Sequence, residues 1–274
     1  MELSELVDIV NRLFPEPHAS LLAGMLFGIK RTMPDGLYAQ LLDTGTIHVV
    51  ALSGMNISII VRLVFDMCGR FFGKYASACA TVLAIVSFIF LVGPSATIVR
   101  AAIMGSLTVL ATVFGRKDVP LLTLVFAGGT MILFNPAIVS DISFQLSFAA
   151  TLGILLFSGK NGDVSLVSVQ NSPAHFLHEM LKDDFKITLS AQLFTVPLIM
   201  YYFHRISLIS PVANVSVGWL VAPITIAGLV TVFLGWIWFP LGKICSFFVY
   251  PLLALFLFLV NIFSLVPFSS VELR

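Results

Sequence analysis

Charged residues divide this chain into long intervals without charge, and most of these intervals have the length of a membrane-spanning helix. The apolar uncharged intervals are 44–61, 75–99, 101–115, 119–140, 142–159, 187–204, 206–242 and 244–271. A helix that crosses the hydrocarbon core of a bilayer needs about 20 apolar residues, within a range of about 17–25. Only 11% of the residues are charged, against about 25% in soluble domains. These features predict an all-α protein, a polytopic transmembrane helical bundle with about eight spans.

The first 43 residues differ from the rest of the chain. Residues 1–14 have apolar side chains at helical spacing and predict an amphipathic helix. Residues 19–29 are apolar but too short to cross a membrane. We therefore expect an interfacial or re-entrant N-terminal segment, residues 1–43, followed by a transmembrane domain over residues 44–271.

Two further stretches interrupt the pattern of simple spans. The interval 206–242 is too long for one ordinary crossing, and its prolines, Pro211 and Pro223, predict a broken helix there. Residues 159–186 form the only long polar stretch between spans and predict a loop that contains an amphipathic helix over 173–186. This loop is expected to be cytoplasmic.

The basic residues between the intervals predict how the chain is oriented in the membrane. Lysine and arginine concentrate in the connections after the first, third, fifth and seventh spans: Arg70, Lys74, Arg116, Lys117, Lys160, Lys182, Lys186 and Lys243. The positive-inside rule places these connections in the cytoplasm. Both ends of the bundle then face outward.

The first span contains polar residues that a simple lipid anchor does not need. His48, Ser53, Gly54 and Asn56 all occur between residues 44 and 60. Ser53 and Asn56 are three residues apart and share a helix face. Polar atoms in hydrocarbon must find partners within the protein or line a wet cavity. This cluster therefore indicates either a wet strip in a conduit or polar contacts that hold two helices together.

Polar residues also occur at the starts of the third and fifth spans. Arg100 could bind phosphate, pair with Asp141 or anchor the helix at the membrane interface. Asp141 lies at the start of a predicted helix, where capping alone explains a carboxylate. Gln145 lies one turn further in, and we expect it to face the polar interior.

The sixth span and the broken region supply the last group of candidates. Gln192 and Asn214 are uncharged polar residues in apolar surroundings, and Pro197 marks a usual site for a helix kink. His204 and Arg205 follow Tyr201, Tyr202 and Phe203 at the end of the span. They could meet a polyanion at the outer rim, or belong to an interfacial aromatic belt.

No pattern in the sequence predicts a catalytic residue, a metal ion or a cofactor. His175, His178 and Glu179 resemble a metal pair, but they lie in the polar loop without a suitably spaced third ligand. The chain has no phosphate-cradling glycine loop and no Ser-His-Asp order. We therefore expect a protein that is not an enzyme.

The motifs, in this order, resemble the membrane domain of the ComEC family of bacterial DNA-uptake proteins. The resemblance rests on LAGMLFG at 22–28, DTGTIHVVALSGMN at 43–56, RAAIM at 100–104, Asn135-Pro136, DISFQLSFAATLG at 141–153, Ala191-Gln192, Pro197, Tyr202-Phe203 and SPVAN at 210–214. It extends from about residue 18 to residue 265.

The resemblance implies a multi-pass channel in the bacterial cytoplasmic (inner) membrane that imports single-stranded DNA during natural transformation. The expected wall of the translocation path is Ser53, Asn56, Arg100, Gln145, Gln192 and Asn214. The residues expected at structural or rim positions are His48, Gly54, Asp141, Pro197, His204 and Arg205.

The same resemblance implies partners besides single-stranded DNA and membrane lipid. Family members often carry an OB-like domain and a metallo-β-lactamase-like domain, and neither pattern occurs in this sequence. A separate DNA receptor, a nuclease, and a cytoplasmic helicase or single-stranded-DNA-binding protein are therefore expected, and a homo-oligomer is compatible with the sequence.

Two other classes of function remain as alternatives. A secondary transporter for a small anionic solute would use Arg100 and the broken helix near 206–242. An intramembrane enzyme would use His48, and it requires Asp43, Asp66 or Asp141 within hydrogen-bond reach of that histidine.

Overall fold

A computed structural model describes residues 3–29, 33–50, 54–157, 173–266 and 270–272. The helices are α1 (Leu3–Leu13), α2 (His18–Phe27), α3 (Asp35–Asp43), α4 (Ile47–Val50), α5 (Gly54–Val92), α6 (Ala96–Val113), α7 (Pro120–Phe134), α8 (Ile142–Phe157), α9 (Pro173–Phe203), α10 (Ser210–Ile237) and α11 (Phe239–Ser264). A 3₁₀ turn, Pro136–Ser140, precedes α8. Two short strands, β1 (Arg205–Ser207) and β2 (Ser270–Glu272), pair antiparallel.

The long helix α5 is a hairpin of two helices that meet at Gly73. Gly73 has a φ of 76° and a ψ of 171°, which no helix contains. Ile57 near the start of α5 and Phe88 near its end share one hydrophobic cluster with Ile98 of α6. A straight helix would separate Ile57 and Phe88 by roughly 46 Å, at 1.5 Å per residue. The two halves of α5 therefore run antiparallel, as the sequence predicted for two spans joined near Arg70 and Lys74.

Helix α6 packs against both halves of this hairpin. Val109 and Val113, near the end of α6, share a cluster with Ala78 and with Phe65, which flank the turn at Gly73. The basic residues Arg70 and Lys74 at the turn and Arg116 and Lys117 after α6 consequently lie at the same end of the bundle. This arrangement agrees with the alternating pattern of basic connections in the sequence.

The region after residue 205 differs from its prediction. The sequence predicted a broken helix near 206–242, but Ser210–Ile237 is one helix with Pro223 inside it, preceded by strand β1. The break falls at Trp238, whose backbone is extended, before α11 begins. A helix within a membrane bundle tolerates an internal proline because neighbouring groups and local adjustment satisfy the freed carbonyl.

The amphipathic helix predicted over 173–186 is continuous with the sixth span. Helix α9 runs without interruption from Pro173 to Phe203, with Pro197 inside it. The side chains of residues 173–184 and the remainder of the predicted cytoplasmic loop, residues 159–172, lie outside the described part of the chain.

The N-terminal segment packs along the length of the α10–α11 pair. Helix α1 lies beside the turn between α10 and α11, where Ile9 and Leu13 approach Gly235. Leu22 of α2 meets Gly228 of α10, and Gln40 of α3 bonds Asn261 near the far end of α11. The segment therefore passes from one end of this helix pair to the other.

Helix α2 lies inside the protein, and whether it is interfacial or re-entrant relative to the membrane stays a prediction. Nine of its ten residues are buried. Seven of these nine residues, the alanines, leucines, Met25 and Phe27, join the largest hydrophobic cluster of the described residues together with residues of α1, α3, α4, α10 and α11. Helix α1 is amphipathic, as predicted, with Leu6 and Val10 buried.

Length and composition identify the chain as a helical membrane protein. In the described residues, four helices are long and apolar enough to cross a membrane: α6, α10, α11 and the region Asn56–Val92 of α5. Three shorter apolar helices accompany them, α2, α7 and α8.

Candidate functional site

The described residues of the expected translocation path fall into four separate groups on different helices. Asn56 contacts α2, Arg100 contacts α8, and Gln192 meets Asn214 through a shared partner. Gln145 lies apart, beside the 3₁₀ turn. Ser53 lies outside the described residues, so its expected place beside Asn56 stays a prediction.

Asn56 is buried, with 2% of its surface exposed, and caps the end of α2. Its Nδ2 donates to the carbonyl oxygen of Met25 at 2.5 Å. The last carbonyls of a helix lack intrahelical partners, and α2 ends only two residues after Met25, where Gly28 adopts the left-handed conformation. Asn56 therefore holds the first half of α5 against the buried helix α2.

Arg100 lies where α5, α6 and α8 meet. Its Nη1 donates to the hydroxyl of Thr151 on α8, and its guanidinium carbon lies 5.9 Å from the ring centroid of Phe148. A Cβ atom on residue 54 would lie 2.9 Å from Nη2, so the guanidinium packs closely against the backbone of Gly54. Only 8% of the Arg100 surface is exposed, which disfavours the interpretation of an interfacial anchor.

Ser210, at the first position of α10, joins two of the predicted path residues. Gln192 Nε2 donates to Ser210 Oγ at 2.8 Å, and Asn214 Nδ2 donates to the same oxygen at 3.0 Å. The backbone of Gly45 packs directly on this hydroxyl, since a Cβ there would lie 2.6 Å from it. The loop after α3, helix α9 and helix α10 thus meet at one polar point.

Asp141 and Gln145 organise the start of α8. Asp141 Oδ1 accepts a hydrogen bond from the backbone N–H of Phe144 at 2.8 Å, so the expected capping role is confirmed. Gln145 Nε2 donates to the carbonyl oxygen of Val139 in the 3₁₀ turn at 2.9 Å. Gln145 is half-buried, and its expected place on the path stays a prediction.

The remaining rim candidates have local roles. His48 is exposed, and its Nδ1 lies 2.8 Å from the carbonyl oxygen of Gly45. This bond goes to the main chain, whereas the intramembrane-enzyme alternative requires a carboxylate. Pro197 and His204 are exposed. The backbone of Arg205 lies opposite the backbone of Glu272 in the pairing of β1 with β2.

Several buried polar atoms in these groups have no hydrogen-bond partner. Among the described residues these include Asn56 Oδ1, Arg100 Nε, Asn214 Oδ1 and Ser147 Oγ. Buried polar atoms in proteins are nearly always bonded, and water is absent from the hydrocarbon core. The unmet atoms of Asn56, Arg100 and Asn214 therefore mark places where water or a passing polar ligand would be stabilised.

Sequence reasoning missed the partners that connect the path residues. Ser210 and Thr151 lie within the motifs at 210–214 and 141–153, but nothing local in the sequence predicts their hydrogen-bond partners. The Met25 carbonyl has no sequence signal at all, because any residue could supply it. In the part of the chain that the structure describes, no group of three or more His, Cys, Asp or Glu residues could hold a metal ion.

Comparison with known proteins gives one family. The family model described as "Competence protein" matches residues 25–274. The chain is 22% identical over 210 residues to ComE operon protein 3 of Bacillus subtilis (strain 168), a match that covers 76% of this chain and 25% of that protein. It is 34% identical over 151 residues to an uncharacterized protein of Aquifex aeolicus (strain VF5), which covers 52% of this chain and 35% of that protein.

Both matches cover only part of the relative. The chain spans about a quarter to a third of the length of these two curated relatives. No solved structure gives a significant match.

Proposed function

The chain belongs to the competence protein family, as its resemblance to the ComEC proteins predicted, and we propose that it forms a channel for single-stranded DNA. The channel would carry the strand across the bacterial cytoplasmic (inner) membrane during natural transformation. About eight spans, including both halves of the α5 hairpin, would form its wall.

The observation that carries the proposal is a set of buried polar atoms without hydrogen-bond partners inside the apolar bundle. Asn56, Arg100 and Asn214 each keep one buried polar atom without a partner, on three different helices. In a bundle that served only as an anchor, each of these unpaired buried atoms would only lower the stability of the fold. A conduit needs such atoms, because a hydrated strand loses bonds to water as it passes and must find replacements.

The low net charge of the chain fits passage of the strand better than tight binding of the strand. The formal net charge is only +1, and tight nucleic-acid binding usually depends on many phosphate contacts from lysine and arginine. Weak and transient contacts would let the strand move. We propose that no chemical step occurs on this chain, so the energy for transport comes from the proton gradient or from cytoplasmic pulling.

Other proteins would supply the remaining activities. We propose that capture of DNA outside the cell and degradation of one strand are carried out by a separate receptor and nuclease. A helicase or a single-stranded-DNA-binding protein would receive the strand in the cytoplasm.

Entry of labelled single-stranded DNA into sealed vesicles containing the purified protein tests this proposal. The wild type should admit the strand under a proton gradient, and Asn214→Ala should reduce entry at least several-fold. Ser216→Ala is the matched control, because Ser216 is a half-buried residue two positions along the same helix whose hydroxyl donates to the backbone carbonyl of Val212.

Two results would contradict the conduit. Saturable uptake of a small anion without any entry of DNA would favour the secondary transporter instead. Equal DNA entry through the wild type and Asn214→Ala would remove α10 from the path.

A further inference from the structure

We propose that Arg100, Ser147 and Thr151 form a binding site for one phosphodiester monoanion at the junction of α5, α6 and α8. The inference rests on the proposed function for the identity of the ligand, since the phosphodiester would belong to the transported strand. The site itself follows from the charge and the hydrogen bonding of the residues.

The first argument is the missing countercharge. Arg100 is more than nine-tenths buried and lies in a helix that is long and apolar enough to cross a membrane. A buried charge is strongly unfavourable unless an opposite charge or several hydrogen bonds compensate it. Within the described chain, its contacts are the Thr151 hydroxyl, the Phe148 ring and the backbone at Gly54. These contacts are neutral, so the site lacks one negative charge.

The second argument is a pair of unused hydrogen-bond donors, one on α6 and one on α8. Arg100 Nε is buried without a partner, and so is the hydroxyl of Ser147. Ser147 lies one helical turn before Thr151, whose hydroxyl donates to the Ser147 carbonyl oxygen at 2.9 Å. Residues four apart lie on the same helix face, so Ser147 and Thr151 present their hydroxyls on the side of α8 that Arg100 contacts.

Asp141, the carboxylate that the sequence offered as a partner for Arg100, makes a different contact. Asp141 is exposed and caps α8 through the N–H of Phe144. Arginine presents several N–H donors in a fixed plane that matches the oxygens of a phosphate group. One anionic oxygen accepting from Nε and from Ser147 would satisfy both unpaired donors and supply the missing charge.

Gly54 sets the space available to the site. A methyl group at residue 54 would lie 2.9 Å from Nη2 and 3.3 Å from the Ala101 side chain. Gly54→Ala should therefore displace the guanidinium and weaken anion binding. Gly105→Ala is the matched control, because Gly105 lies against Val61 at the same helix interface without contacting Arg100.

Binding of dimethyl phosphate to the detergent-purified protein tests the site without requiring transport. A ligand that binds only the folded state raises the unfolding temperature, so the midpoint is measured against dimethyl phosphate at constant ionic strength. We expect a saturable rise in the wild type. Ser147→Ala should weaken the affinity about tenfold, the loss expected for one hydrogen bond to a charged group, and Arg100→Gln should abolish it.

Ser147→Ala keeps the test decisive if Arg100→Gln does not fold. The Ser147 hydroxyl has no partner in the ligand-free protein, so its removal should not lower the unfolding temperature without dimethyl phosphate. The absence of a saturable rise in the wild type would overturn the proposal. Equal affinities in the wild type, Ser147→Ala and Gly54→Ala would overturn it as well.

Competition distinguishes the two sources of a phosphodiester. A thymidine oligonucleotide that displaces dimethyl phosphate supports the strand as the ligand. Displacement by phosphatidylglycerol alone would overturn that assignment and identify a lipid site. Dimethyl phosphate binding without DNA entry into vesicles would leave the anion site intact and contradict only the channel.

Discussion

At the scale of single residues, a polar side chain in this bundle can make one hydrogen bond that holds the fold together and keep a second polar atom without a partner. Asn56 uses its amide nitrogen to cap α2 and leaves its oxygen free, and Asn214 bonds Ser210 in the same way. The two explanations that the sequence left open, polar contacts between helices and a wet strip, are therefore compatible in one side chain. The structural half of each role can be tested separately from transport.

Substitution of Asn56 by leucine should destabilise the protein by about 1–3 kcal/mol, the cost of leaving a buried carbonyl without its donor. The Met25 carbonyl would lose the bond from Nδ2 that ends α2. Denaturant unfolding in micelles measures the effect. Ser58→Ala serves as the control, because the exposed Ser58 hydroxyl bonds within its own helix. Equal stability of Asn56→Leu and Ser58→Ala would show that the cap contributes nothing.

At the scale of elements, the break at Gly73 determines how the first spans are arranged. Nothing lies within 4 Å of a Cβ built on Gly73, so glycine is required there for its backbone and not for space. Its combination of positive φ with ψ near 180° is essentially limited to glycine. The turn lets both halves of α5 pack on α6.

Gly73→Ala should lower the free energy of unfolding by about 1–3 kcal/mol, because a side chain strains this backbone conformation. Gly129→Ala is a suitable control, since Gly129 is an exposed helical glycine that also has open space around it. The control should be neutral or slightly stabilising. Equal free energies of unfolding for Gly73→Ala and Gly129→Ala would contradict the requirement for glycine at this turn.

The hairpin itself predicts a short distance between the ends of α5. Spin labels on cysteines replacing Ser58 and Phe90, both exposed, report this distance after the native cysteines Cys68, Cys79 and Cys245 are replaced. A continuous helix would separate these two positions by about 48 Å. We expect a distance of less than half that value, and a measurement near 48 Å would contradict the hairpin.

At the scale of the whole molecule, the sequence predicted the positions of the helices well and their contacts poorly. Each uncharged interval corresponds to a described helix or to half of α5, because the exclusion of charge from hydrocarbon is a local property of the chain. The sequence left two positions open for α2, because a short apolar segment has the same pattern at an interface and inside a bundle. The bonds of Ser210 and Thr151 were missed because they join residues far apart in the sequence.

The N-terminal segment is expected to be necessary for folding of the remainder. Helices α1 to α3 share a hydrophobic cluster with α10 and α11, so a chain that begins at Thr44 would expose or collapse this surface. Gel filtration of the truncated protein in detergent should show aggregation where the full chain is monodisperse. A monodisperse truncated protein that retains its helix content would instead support residues 1–43 as a separate interfacial segment.

The most direct test of the conduit is to locate a strand while it passes through the protein. A single-stranded oligonucleotide with thiol-reactive bases is stalled in vesicles by a bulky group at its trailing end. In a cysteine-free background, we predict labelling of Asn214→Cys, at a buried position beside Ser210, and none of Phe233→Cys, at a position that is 55% exposed on the same helix. Equal labelling of both positions, or labelling of position 233 alone, would contradict passage of DNA through the interior of the bundle.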